Sequence, residues 1–151
     1  MALHKDFPRS PHAVLDPDIR WFPADEVLRE SSMEKLIPPL VQNLRRKVKK
    51  FRDSRYAGAS HTSRSLLNWW FANAHLLPKA DGSTVSFEYY FAQREAVETI
   101  VYLYDVVGAK DKYDLMRFDA SDLVSAGMFD ETWRRYVIKM ATGSGKTKVM
   151  S

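Results

Sequence analysis

Gly143, Gly145, Lys146 and Thr147 stand close enough together to act on one anion. The two glycines carry no Cβ, so the backbone there can turn tightly and bring its amide N–H groups up to phosphate oxygens. A helix that starts at Lys146 adds the positive end of its dipole. Lys146 then reaches the β- and γ-phosphates, and the Thr147 hydroxyl ligates Mg²⁺. Thr142 and Ser144 complete the loop. The chemistry this suits is the binding of a nucleoside triphosphate with its metal, with Lys146 as the catalytic cation. The run departs from G-x-x-x-x-G-K-[ST] at one place, where Met140 replaces the first glycine. The simpler alternative is a glycine turn beside a solvated lysine.

Such a loop must be held between a strand and a helix. Tyr136-Val137-Ile138-Lys139-Met140 reads as the strand, apolar on both faces and suited to the centre of a parallel sheet. Only Lys148, Val149, Met150 and Ser151 follow the loop. Phosphate-transferring enzymes also need a metal-holding acid and a water-positioning group, which other strands supply. The expectation is therefore the N-terminal part of a longer enzyme, inactive by itself.

A second residue invites chemistry. The pattern predicts a helix from Ser86 to about Val107, with Tyr90, Val97, Ile100, Tyr104 and Val107 on its buried stripe and Gln93 among them. A buried amide needs a specific partner. Gln93 offers a donor beside an acceptor, the complement of adenine N7 and N6, and Tyr89 and Tyr90 stand ready to stack. The alternative is that Gln93 caps a neighbouring backbone group.

Further back, Leu40, Val41, Leu44, Val48 and Phe51 recur at helical spacing behind Pro38 and Pro39. The opposite face carries Arg45, Arg46, Lys47, Lys49, Lys50, Arg52 and Arg55. Of these, Arg45, Arg46, Lys49 and Lys50 are the candidates for contact with a phosphate backbone; a solvated polar face is the alternative. Gly58 is the expected terminator of that helix, and Ser63 or Ser65 the cap of the next. That next helix carries Leu66, Leu67, Trp69, Trp70, Phe71 and Leu76, a core in preference to a base-stacking surface, and Pro78 closes it. Lys79 to Thr84, with Asp81-Gly82, reads as a turn or linker and the best internal boundary. Pro8, Pro11, Pro17 and Pro23 make residues 1–24 an extended arm, pinned by Trp21 and Phe22. Residues 109–133 read as a polar connector with a short helix near Ala120 to Ala126.

Composition narrows the classes. The chain has 151 residues, is 45% hydrophobic and holds four Trp, which suits a folded domain rather than disorder. It has no Cys, which excludes disulfide frameworks and thiolate metal sites and points to a reducing, cytoplasmic setting. His4, His12, His61 and His75 lack metal-ligand spacing. No apolar run reaches the ~18 residues of a membrane span, and no secretory signal opens the chain. The net charge of +4 is compatible with nucleic acid without requiring it.

Together these segments resemble the opening of superfamily 2 helicases. The likeness is closest to the DEAD/DEAH box subunits of type III restriction enzymes. Phe91-Ala92-Gln93-Arg94-Glu95-Ala96 is similar to that family's adenine-reading glutamine segment. The run from Met140 to Met150 is similar to its phosphate loop, in which the first glycine is commonly absent. Asp16 to Pro23 and Leu67-Asn68-Trp69-Trp70-Phe71 look like the leader of its large restriction-type members. The resemblance implies an α/β fold: an α-helical extension over residues 1–80, then the start of a RecA-like lobe over 86–151. It implies ATP and Mg²⁺ as cofactors, with Gln93, Thr142, Gly143, Ser144, Gly145, Lys146 and Thr147 at the nucleotide. It further implies ATP-driven movement on double-stranded DNA, a methylation subunit as partner, and in some members an endonuclease activity. The rivals are another P-loop enzyme, such as a small-molecule kinase, and a non-enzymatic module that binds a partner through its basic helix.

Overall fold

Apolar residues at helical spacing set the first helix, α1 (Pro39–Asp53). The computed structural model describes residues 10–17, 39–110, 114–115, 136–140 and 142–150, with Pro39 and Leu40 described by backbone alone. On the buried face of α1, Val48 is fully covered and Phe51 nearly so. The helix ends at Asp53, before the expected terminator Gly58. The stop is a Schellman-type turn: Tyr56 N–H donates to the Phe51 carbonyl (2.8 Å) and Arg55 N–H to that of Arg52 (3.0 Å). Arg55 and Tyr56 hold left-handed φ angles of 55° and 62°, strain that their surroundings must offset. Tyr56 supplies that compensation, packing its ring against Phe51 with centroids 5.2 Å apart.

Helix α2 (His61–Ala72) starts at least three residues earlier than the sequence indicates, because Ser60 rather than Ser63 or Ser65 is its cap and accepts from Ser63 N–H. Asp105 reaches back to accept the Ser60 N–H at 2.7 Å, and these bonds hold its carboxyl below the usual aspartate range. Of the expected α2 core residues, Leu67 is fully buried, and Trp70 and Phe71 pack beside it. Leu66 and Trp69 are outside the core, 43% and 55% exposed.

The stretch after α2 corrects the expected helical continuation. Residues His75–Pro78 form β1 and Thr84–Phe87 form β2, an antiparallel pair in register from His75 opposite Phe87 to Pro78 opposite Thr84. The expected turn or linker is the turn of this hairpin, with Thr84 already in β2. Asp81 accepts from the Ser83 N–H and hydroxyl, and Gly82 takes the positive φ of 80°. The helix expected from Ser86 begins only at Phe91, since 84–87 are engaged in the sheet. This helix, α3 (Phe91–Val101), runs into a π-helical turn, Tyr102–Val106, closed by Val107 N–H to the Tyr102 carbonyl. Its buried stripe is Phe91, Gln93, Ala96, Glu98 and, in the π turn, Leu103, whereas Tyr90 and Tyr104 are exposed.

Helices α1, α2 and α3 enclose the core of Phe51, Tyr56, Ala59 and Leu67. The architecture is thus mixed, helices with one small two-stranded sheet. Tyr136–Met140, expected as a buried strand, is irregular, with Val137 77% and Ile138 41% exposed. No other strand pairs with it among the described residues, so its apolar side chains have no sheet to enter. The expected anchors Trp21 and Phe22, the helix near 120–126 and Ala141 lie outside the described residues.

Candidate nucleotide site

The glycine loop closes onto a short helix, α4 (Lys146–Met150), as the sequence indicates. Gly143 and Gly145 take φ angles of 79° and 77°, a region that side chains with a Cβ rarely enter. Gly145 is constrained further, because a Cβ there would run into Gln93 Nε2. Thr142, Gly143, Lys146 and Thr147 are exposed, and Ser144 and Gly145 half-buried. The Lys146 ammonium donates to the Met140 carbonyl at 3.1 Å, so the cation stays beside its own loop.

Gln93 sits 52 residues before Gly145 and is only 5% exposed, yet the fold brings the two together. Its Nε2 donates to the Gly145 carbonyl at 2.9 Å, and its Oε1 accepts the Tyr90 N–H at 2.8 Å. The second bond caps α3, with Tyr90 as N-cap and Gln93 in the third helical position. The first fixes the loop, whose Gly145 carbonyl also accepts the Lys148 N–H at 3.0 Å. Both ends of the amide therefore grip backbone, which is the capping alternative joined to a loop contact the sequence does not reveal. One donor and one lone pair of the amide remain beyond these bonds.

A segment that sequence reasoning did not single out completes the entrance to α3. The Pro11 carbonyl accepts the Phe91 N–H at 2.8 Å, satisfying a helix-start donor. The His12 ring lies 3.0 Å from the Tyr89 carbonyl through Nδ1 and 5.0 Å from the Tyr90 ring. His12, Trp70, Phe71, His75, Phe87, Tyr89 and Arg94 line a shallow, open cleft. Lys148 places its ammonium 5.7 Å from the Phe87 ring and 6.0 Å from that of Tyr89, so the cleft wall touches the loop's own helix.

Beneath α3 lies a buried ionic network, equally absent from the sequence reading. Glu98 is wholly buried. It accepts from Arg52 Nε (2.7 Å), Tyr56 Oη (2.8 Å) and Arg94 Nε (2.8 Å). Arg52 Nη2 stands 2.6 Å from the same carboxylate, an ion-pair contact without hydrogen-bond alignment. Burial, and then the Glu98 charge, push the Tyr56 hydroxyl up to about 12, so it stays protonated and donates. Arg52 reads in the sequence as one of the outward cations of α1; its place is in this core, 8% exposed, because Glu98 needs a partner. Of the candidate nucleic-acid residues, Arg46 and Lys50 are exposed, Arg45 and Lys49 half-buried, and Lys49 pairs with Asp53 at 2.6 Å.

Among the described residues no group of His, Asp and Glu is arranged to hold a metal ion alone, and no helix is long and apolar enough to cross a membrane. A metal carried by a nucleotide would need only the Thr147 hydroxyl from this loop. Two glycines at left-handed φ, an exposed lysine and an exposed threonine fit that group. The chain matches no family model, no curated protein and no solved structure.

Proposed function

We propose that the loop 142–147 binds the phosphates of ATP with Mg²⁺, and that the chain is the N-terminal part of an ATP-dependent DNA helicase or translocase of restriction-enzyme type. The observation that carries this reading is the bond from Gln93 to Gly145. The residues that resemble a helicase glutamine segment and a phosphate loop are far apart in sequence, yet they meet through a hydrogen bond at a glycine of positive φ, where an added Cβ would displace the Gln93 amide.

In this reading the backbone N–H groups of Gly143 to Thr147 donate to phosphate oxygens. Lys146 neutralises charge on the outer phosphates, and Thr147 ligates the metal. Gln93 holds the Gly145 carbonyl and so sets the direction of the loop amides. ATP supplies the transferable phosphoryl group and, through hydrolysis, the energy for movement. The rest of a RecA-like lobe, with its metal-holding acid, would come from sequence beyond these residues. The outward cations of α1 supply a surface for the DNA backbone.

The test is Lys146→Ala. Calorimetric titration with Mg-ATP should show binding to the parent chain and loss of at least an order of magnitude in the variant, since the cation's charge-assisted bonds are each worth roughly 1.5–3 kcal/mol. Equal affinities for the two proteins would remove the loop from nucleotide binding.

A further inference from the structure

We propose that Lys148 is a positioning residue for the glycine loop, and that the aromatic end of the hairpin, Phe87 with Tyr89, is its seat. The inference rests on the proposed role of that loop in holding phosphates.

A helix of little more than one turn does not hold itself in water. α4 has five residues and buries none of them, so its place is set by what it touches. One contact is at its start, where the Gly145 carbonyl accepts both Gln93 Nε2 and the Lys148 N–H. Another is the Lys148 side chain, whose ammonium lies 5.7 Å from the centre of the Phe87 ring and 6.0 Å from that of Tyr89. Both distances are within reach of a cation–π attraction. The seat itself is fixed. Phe87 ends β2 opposite His75. Tyr89 meets Phe87, Phe71 and His75 edge to face, with centroids 4.9, 5.4 and 6.0 Å apart. Phe71 packs in turn on the core cluster. The rings therefore join the loop's helix to the helical body through the hairpin, by a route separate from Gln93.

The two lysines of the motif take different roles. Residues two apart on a helix do not share a face. The Lys146 ammonium stays at the Met140 carbonyl beside the glycines, whereas that of Lys148 lies at the rings. Lys146 is thus the cation for the phosphates, and Lys148 sets the direction of the turn from which the loop amides point. The rings favour a cation here. An apolar side chain of similar length keeps the contact area but loses the attraction to the negative ring face.

The experiment titrates the full chain with Mg-ATP and with Mg-tripolyphosphate, beside Lys148→Met, Lys148→Arg, Phe87→Leu and the double variant Lys148→Met, Phe87→Leu. Lys148→Met and Phe87→Leu should each weaken both ligands about two- to fivefold, the value of one exposed cation–π contact. The double variant should be no weaker than the weaker single variant, because both remove the same contact. Lys148→Arg should keep the parent affinity, since a guanidinium takes the same seat. Losses that add in the double variant mean that Lys148 meets the phosphates directly, and overturn the proposal. A Phe87→Leu loss confined to ATP makes the ring a base contact and also overturns it, as does unchanged affinity in Lys148→Met. Hydrogen exchange of the ligand-free chain covers two remaining cases, a Phe87→Leu that folds poorly and a parent that binds neither ligand. In the second case the phosphate-loop reading falls by itself. The amides of Lys148 to Met150 should then exchange about two- to fivefold faster in Lys148→Met than in the parent or Lys148→Arg, which upholds the seat. Equal exchange in all three overturns it.

Discussion

The helical body and the glycine loop are held by different means. In the body, Val48, Leu67 and Glu98 are essentially inaccessible, and one carboxylate ties α1, the strained Arg55-Tyr56 turn and α3 together. In the loop region α4 buries no residue, and its ties include Gln93 to Gly145, Lys148 over two rings, and Tyr136 Oη to the Ala109 carbonyl at 3.1 Å. Regions that must accept a ligand come from the low-stability end of a fold, while the scaffold holds the cooperative core. The difference teaches that the buried network and the glycine loop are held separately, with the Gln93 amide one of the links between them.

The largest expected effect breaks the body. Glu98→Ala leaves Arg52 and Arg94 without their carboxylate, and losing one partner of a buried ion pair costs roughly 3–5 kcal/mol. Thermal unfolding followed by circular dichroism should show a large fall in midpoint; an unchanged midpoint would mean that the network does not hold the helices together. Next in size, Arg46→Glu, Lys49→Glu and Lys50→Glu combined should flatten the dependence of log DNA affinity on log salt by about one unit for each phosphate no longer neutralised. An unaltered slope returns α1 to a solvated face.

Gln93→Ala sharpens the comparison itself. It should weaken ATP and GTP alike, by roughly 1–3 kcal/mol for a buried hydrogen-bonding group, because the amide acts on the loop backbone. A loss confined to ATP would give Gln93 the adenine-reading role that the resemblance implies.

The smallest effect is a pH dependence in the body. Asp105 has a lowered folded value, so its contribution is present above the ordinary aspartate value of 3.8 and disappears as pH falls through the lower folded one. The melting advantage of the parent over Asp105→Asn should therefore shrink below about pH 4, the usual aspartate value. An advantage that does not shrink as pH falls below the usual aspartate value would exclude the charged cap.

Much of the fold is legible in periodicity and punctuation. Val48 and Phe51 follow from helical spacing, Leu67 from its aromatic neighbourhood, and the loop from Gly143 to Thr147 from its motif. What escapes a sequence reading depends on contacts distant in the chain. Nothing local marks Arg52 as the partner of Glu98, 46 residues away, so it reads as one more outward cation. The hairpin escapes because Leu76-Leu77-Pro78 extends an apolar run, and its strand character rests on pairing with Thr84–Phe87. His12 escapes because its meaning lies in the carbonyl of Tyr89, 77 residues later. The Schellman turn escapes because Arg55 occupies the position where glycine is the usual signal.

Amide hydrogen exchange of the chain with and without Mg-ATP addresses the central claim most directly. The account predicts slower exchange from Gly143 to Lys148 and at Tyr90, with Val48, Phe51 and Leu67 protected equally in both states. Unchanged exchange in the loop at saturating Mg-ATP, or protection gained only in the helical body, would contradict it.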